Sequence, residues 1–130
     1  MKRVSQLGYN PAQMREAFHL DCSDEICARY IINELRHVPS KTLVVIDYLQ
    51  LLDQKRQNPE LSLQLNELKE FARKTGIIIT LISQVQRDFD LAMKPLPDLS
   101  DIRLPNPVDL AVFTKCCFLH NGEIAFEVVN

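Results

Sequence analysis

Asp47 and the neighbours Ser83 and Gln84 are the residues of this chain whose types and settings suit chemistry. Each follows a run of apolar, mostly β-branched residues: Leu43-Val44-Val45-Ile46 leads into Asp47, and a run from Ile77 to Ile82 leads into Ser83-Gln84. A carboxylate where a strand ends can hold Mg²⁺ directly or through water. A hydroxyl and an amide beside it would add hydrogen-bonding groups to the same polar mouth. The plainer alternatives are a carboxylate that caps the next loop and polar residues that merely solvate two strand ends.

The elements that must position these residues follow from periodicity. An apolar run without polar alternation is expected of a strand covered on both faces, as in a parallel sheet. Between the two runs, Asn58-Pro59 gives a cap-then-proline helix start. Leu61, Leu65, Leu68 and Ala72 then recur at helical spacing with Phe71 widening the stripe, while Lys69, Glu70, Arg73 and Lys74 hold the wet side. Gly76 is placed to end the helix in a left-handed conformation. Residues 43–82 therefore read as a strand, crossover helix and parallel strand, which brings both carboxyl ends, and with them Asp47, Ser83 and Gln84, to one sheet edge.

Elsewhere the signals are local. Asn10-Pro11 starts a short helix to about His19 with Met14, Ala17 and Phe18 as its apolar stripe, and Asp21 or Ser23 caps a second helix carrying Cys27, Ile31, Leu35 and Val38. Residues 88–107 mix charges with Pro95, Pro97, Pro105 and Pro107 and read as a loop with fixed turns. Val108 to Phe113 reads as a further strand, and residues 116–129 as a hairpin turning at Asn121-Gly122.

At 130 residues, 46% hydrophobic and 25% charged, the chain is expected to be one soluble domain spanning 1–130 with a sizeable core. A net charge of −2 and a pI near 5.9 argue against a free-standing nucleic-acid binder. Cys22, Cys27, Cys116 and Cys117 form no CxxC pair and are expected to be buried or inert thiols. With no apolar stretch long enough to span a membrane and no signal-peptide pattern, a cytoplasmic location is expected.

Three ordered stretches, Val45-Ile46-Asp47-Tyr48-Leu49-Gln50-Leu51-Leu52, Leu81-Ile82-Ser83-Gln84-Val85-Gln86-Arg87 and Leu99-Ser100-Asp101-Ile102-Arg103, resemble the RecA-like motor domain of DnaB-type replicative helicases. The likeness runs from about Thr42 to the C-terminus. It implies an α/β, three-layer RecA-like core with a mostly parallel sheet, here without its first strand. It also implies that Asp47 is the Walker B carboxylate ordering Mg²⁺, and that Gln84 senses the γ-phosphate. By the same resemblance, Lys55 and Arg56 in one loop, and Arg87, Lys94 and Arg103 in another, approach single-stranded DNA.

The chain departs from that pattern in three places. Its glycines are Gly8, Gly76 and Gly122, so no GxxxxGK[ST] loop exists to cradle phosphates, and the family's catalytic Glu has no matched position. After Arg103 it continues Leu104-Pro105-Asn106-Pro107 where the helicases carry Glu-Ser-Gly. Phe118-Leu119-His120 stands where they carry Lys-x-Arg before the Asn-Gly turn, which makes His120 a degenerate arginine-finger position.

Three functions follow as expectations. One is a helicase-like module without ATPase activity of its own that binds DNA weakly or docks on a helicase or other replication protein. Another is a helicase component whose phosphate loop comes from a different chain, the sole setting in which Mg-ATP is expected as a cofactor. The last is a structural domain with no nucleotide chemistry. Loss of the first strand also exposes an edge or an apolar face, so self-association is expected.

Overall fold

A computed structural model of the protein describes residues 6–104 and 106–129. Pro105, one of the four prolines expected to fix turns, lies outside them. Helix α1 (Pro11–Ala17) begins as its sequence requires, with the Asn10 side chain accepting from the Ala12 N–H at 2.9 Å and Pro11 in the first turn. Its apolar stripe does not pack: no residue of α1 is buried, and Met14 and Phe18 face solvent. Helix α2 (Ala28–Glu34) starts later than its candidate caps suggested. Asp21 Oδ1 and Ser23 Oγ serve local turns, accepting from the Ser23 and Glu25 N–H groups at 2.8 and 3.1 Å, while Asp21 Oδ2 accepts from the Tyr30 hydroxyl at 2.8 Å.

Strands β1 (Leu43–Asp47) and β2 (Ile78–Ile82) pair in parallel, with Leu43 opposite Ile78 and Asp47 opposite Ile82. Helix α3 (Leu61–Thr75) makes the crossover and ends at Gly76, whose φ of 73° is left-handed and whose N–H returns to the Ala72 carbonyl at 2.9 Å. Asn58 is not its cap, as the helix begins beyond Pro59 with Glu60 at the cap position. The Asn58 amide instead donates to the Leu52 carbonyl at 3.4 Å. A 3-10 turn (Leu49–Asp53) follows β1 directly and turns Leu49 and Leu52 inward.

The core forms where these pieces meet. Ala28 and Ile31 of α2, Ile46 of β1, Leu49 and Leu52, and Leu61, Leu65 and Leu68 of α3 form one buried cluster, with Val44, Ile79 and Leu81 packed against it. The strands therefore alternate: Val44, Ile46, Ile79 and Leu81 point inward, whereas Leu43, Val45, Ile78 and Ile82 point outward and are 45–61% exposed. The sequence led us to expect cover on both faces. An apolar run specifies what a strand avoids, but not that the same chain supplies both covers, and here α3 packs one face while the other is open.

One polar side chain belongs to this core. Gln64, on the inner face of α3, is 1% exposed. Its Oε1 accepts from the Ala28 N–H at 3.0 Å, and its Nε2 donates to the Leu52 and Pro59 carbonyls at 2.8 and 2.7 Å. Cys27, at the cap position of α2, makes no side-chain cap bond, so Gln64 reaches across from α3 to satisfy the first helical amide.

The C-terminal hairpin is as read: β3 (Lys115–His120) and β4 (Glu123–Val128) are antiparallel and turn at Asn121 (φ 47°) and Gly122 (φ 83°), the two positive φ values of the primed turn that matches strand twist. Leu119, Ile124, Phe126 and Val128 make its outer face and are exposed. Residues 108–113 are not the strand expected. Leu110–Val112 is a 3-10 turn capped by Asp109, which accepts from the Ala111 N–H at 2.9 Å, and Val108, Val112 and Phe113 lean on the core together. Pro107 ahead of them has no N–H for a ladder, and the Asp109 cap competes with an extended backbone.

The fold is thus mixed α/β, with a parallel strand pair, its crossover helix and a C-terminal antiparallel hairpin, in keeping with a reduced RecA-like core. Among the described residues, no helix is long and apolar enough to cross a membrane.

Candidate functional site

The parallel register carries Asp47 and the Ser83-Gln84 step to the same end of the strand pair, since Asp47 is level with Ile82. The Asp47 side chain is exposed and makes no hydrogen bond or ion pair with any described residue, so it does not cap the next loop through a bond of its own here. It follows that Asp47→Asn should leave stability within about 0.5 kcal/mol of wild type in urea unfolding, as expected of a surface group without partners. A loss above about 1 kcal/mol would restore the capping role.

Beyond β2 the chain is tied to the segment around Arg103. The Gln84 carbonyl accepts from the Arg103 N–H at 2.9 Å, Val85 bridges Ile102 in antiparallel sense, and the Gln86 N–H donates to the Asp101 carbonyl at 2.8 Å. Arg103 Nη1 also donates to Gln84 Oε1 at 3.1 Å. The amide read as a phosphate sensor is therefore already engaged with one of the residues read as a DNA contact.

Gln50 anchors this pairing from below. It is 7% exposed, and its Nε2 donates to Ser83 Oγ at 3.1 Å and to the Arg103 carbonyl at 2.5 Å. Its Oε1 is buried with no partner among the described residues. Sequence reasoning gave Gln50 no role. Its position two residues after Tyr48, in an otherwise apolar Leu49-Leu51-Leu52 run, was the available signal.

A cavity of about 420 Å³ opens against this pairing, lined by Gln86, Arg87, Asp88, Arg103 and Leu104. Two of the five predicted basic residues, Arg87 and Arg103, thus share one hollow. The others lie elsewhere. Lys55 pairs with Glu25 at 3.0 Å, and Arg56 is exposed in the turn after the first 3-10 segment. Lys94 pairs with Asp98 and, at 2.7 Å, with Asp101.

The Lys94 hydrogen bond brings the Asp98 carboxyl down to about 2, and Lys94 likewise lowers Asp101, while the two carboxylates raise the Lys94 ammonium above its ordinary value. Folded carboxylates with depressed values contribute above their unfolded value and lose that contribution as pH falls. For Asp98 the loss runs from the ordinary carboxylate value of 3.8 down to about 2, so all three groups are charged at neutral pH.

His120 ends β3 opposite Glu123 in the hairpin and is not among the residues that line the cavity. Cys22 and Cys117 are exposed rather than buried, while Cys116 is partly covered and its thiol is pushed up by burial. Among the described residues no cluster of His, Cys, Asp or Glu is arranged to hold a metal.

A family model, the DnaB-like helicase C terminal domain, matches residues 3–109. The chain belongs to that family. No curated protein and no solved structure matches it. The DnaB-like match extends well ahead of Thr42, where the sequence motifs began, and so takes in α1 and α2 as well as the strand pair and the Arg103 segment. It stops before the hairpin. The motifs underestimated the DnaB-like N-terminal stretch because α2 contributes packing, through Ala28 and Ile31, rather than chemistry.

Proposed function

We propose that this DnaB-like chain is a binding module that engages single-stranded DNA weakly through Arg87 and Arg103 and does not hydrolyse ATP by itself. The observation that carries the reading is the shared cavity: two arginines from separate segments line one hollow beyond the end of β2. Guanidinium forks suit phosphate oxygens, and contacts to the backbone are indifferent to base sequence. The absence of a phosphate loop in the sequence supports the second half, because backbone N–H groups and a loop Lys supply much of the binding energy for a triphosphate. Lys55, paired with Glu25, and Arg56 lie outside this cavity, and like His120 they have no part in the reading.

Fluorescence anisotropy with a labelled single strand tests the DNA half. Binding in the roughly 10⁻⁴ to 10⁻⁶ M range of non-specific complexes is expected, weakening steeply with salt and lost in Arg87→Ala with Arg103→Ala. Binding that ignores salt or survives the double substitution removes DNA and leaves a helicase or other replication protein as the partner. In parallel, Mg-ATP should show no hydrolysis and no affinity tighter than about millimolar, a binding energy near 4 kcal/mol.

A second reading, in which another chain supplies the phosphate loop, has one observation in its favour. The strand pair has unpaired outer edges among the described residues, next to the strand ends that bear Asp47, Ser83 and Gln84. Asp47 would then order Mg²⁺ and Gln84 would face the γ-phosphate. Micromolar Mg-ATP binding abolished by Asp47→Ala would select this reading.

A further inference from the structure

We propose that Lys94 is a positioning residue for the Arg87 and Arg103 cavity, acting as the pin of an electrostatic latch and not as a phosphate contact. The inference rests on the DNA-binding reading above for its functional consequence, but the latch itself rests on geometry alone.

Lys94 sits between two carboxylates. Its ammonium pairs with Asp98 and with Asp101 Oδ2 at 2.7 Å, and that same oxygen accepts from the Asp98 N–H at 2.8 Å. Asp98 in turn caps the short 3-10 turn Leu99–Asp101, its Oδ1 accepting from the Ser100 N–H at 2.9 Å and from the Ser100 hydroxyl at 2.6 Å. The lysine thus fastens both ends of a capping box. From there the chain passes without a break to the paired stretch: the Asp101 carbonyl accepts from Gln86, Ile102 bridges Val85, and Arg103 bonds Gln84 with its backbone N–H and its side chain. Gln50 holds the Arg103 carbonyl on the inner side, so Lys94 is the outer of two fastenings.

Charge excludes the simpler role. One ammonium with two ionised carboxylates makes a group of net charge −1, which repels a phosphate backbone. Lys94 is also only about one-third exposed, its ammonium being committed to the two acids. A latch of this kind earns its place through geometry: release it, and Arg103 is no longer held opposite Arg87.

The decisive variants are the acids. If the triad merely tuned the surface field, Asp98→Asn or Asp101→Asn would remove a negative charge and tighten DNA binding. The latch requires the opposite, a weakening of several-fold in anisotropy with a labelled single strand. Lys94→Ala should weaken binding by as much as Arg103→Ala and lower the salt slope by the same amount, about 0.7 for one single-strand phosphate contact. Combined with Arg103→Ala it should add less than about twofold, because the two changes disable the same contact. Lys94→Arg should restore the wild-type value.

Hydrogen exchange provides a readout independent of DNA. In Lys94→Ala the Gln86, Asp101 and Arg103 amides should lose protection while those of α3 keep theirs. Tighter binding in Asp101→Asn, an additive loss in Lys94→Ala with Arg103→Ala, or unchanged exchange at Gln86 and Arg103 each overturns the latch. Wild-type protein that fails to bind DNA but shows the local exchange change would instead retire the DNA-binding reading and leave the latch standing.

Discussion

Gln64→Leu is expected to destabilise the protein by about 2–4 kcal/mol, although leucine fills nearly the same space and belongs in an apolar core. The substitution keeps the volume and removes only the amide. The Ala28 N–H is left buried with no partner, an orphan worth about 1–3 kcal/mol, and the Leu52 carbonyl keeps only the longer bond from the Asn58 amide at 3.4 Å, a further loss of about 1 kcal/mol. The Pro59 carbonyl loses its bond at the core margin as well. Because Gln64 ties the first turn of α2 to the 3-10 turn after β1, its loss should also loosen helix α2. Urea unfolding gives the magnitude, with Glu67→Ala on the exposed face of α3 as a neutral control. A cost below about 1 kcal/mol would mean that water replaces the amide in place.

Gln64 also marks the limit of what the sequence made legible. The strand, crossover helix and strand were readable because their signals are periodic: Leu61, Leu65 and Leu68 repeat with the helix, and Gly76 stops it. Asn121-Gly122 was readable because its backbone demands residues that tolerate positive φ. A glutamine on the apolar face leaves no such trace. It satisfies groups 12 and 36 residues away, and nothing local announces which amides a fold leaves unpaired.

The candidate site divides the same way. Topology alone brought Asp47 to the level of Ile82. Whether Lys94 reached a cavity or a carboxylate depended on a return of the chain from residue 88 to residue 103, which has no period to read. The expected strand at 108–113 failed for a related reason, since an apolar run near a proline satisfies the core equally well as a short 3-10 turn.

Leu68→Ala should produce the other large loss, about 2–5 kcal/mol. Leu68 is 2% exposed, and it belongs to the cluster that joins α3 to Ile46 of β1 and Ile31 of α2. Removing three carbons there takes away their transfer free energy and opens a void. Neighbours in α3, in the 3-10 turn after β1 and in the sheet are pinned by backbone bonding and can close it only in part. Equilibrium unfolding should register the loss as a lower midpoint with an unchanged denaturant slope, the mark of altered stability rather than altered compactness. Leu63→Ala, on the same helix but 56% exposed, should lose far less. Equal losses at the two positions would mean that the inner and outer faces of α3 are misassigned.

The open face of the strand pair gives these stabilities a hidden variable. Leu43, Val45, Ile78 and Ile82 remain in water in the folded chain, each forgoing a part of the roughly 1.5–3 kcal/mol that full burial confers. Any surface that covers them, another molecule of the same chain included, binds the folded form and adds RT ln(1 + [L]/Kd) to its apparent stability. If the cover is a second copy, a melting temperature becomes a number with a concentration attached, rising by mass action as the solution is made stronger, and mutant and wild type are then comparable only at matched dilution.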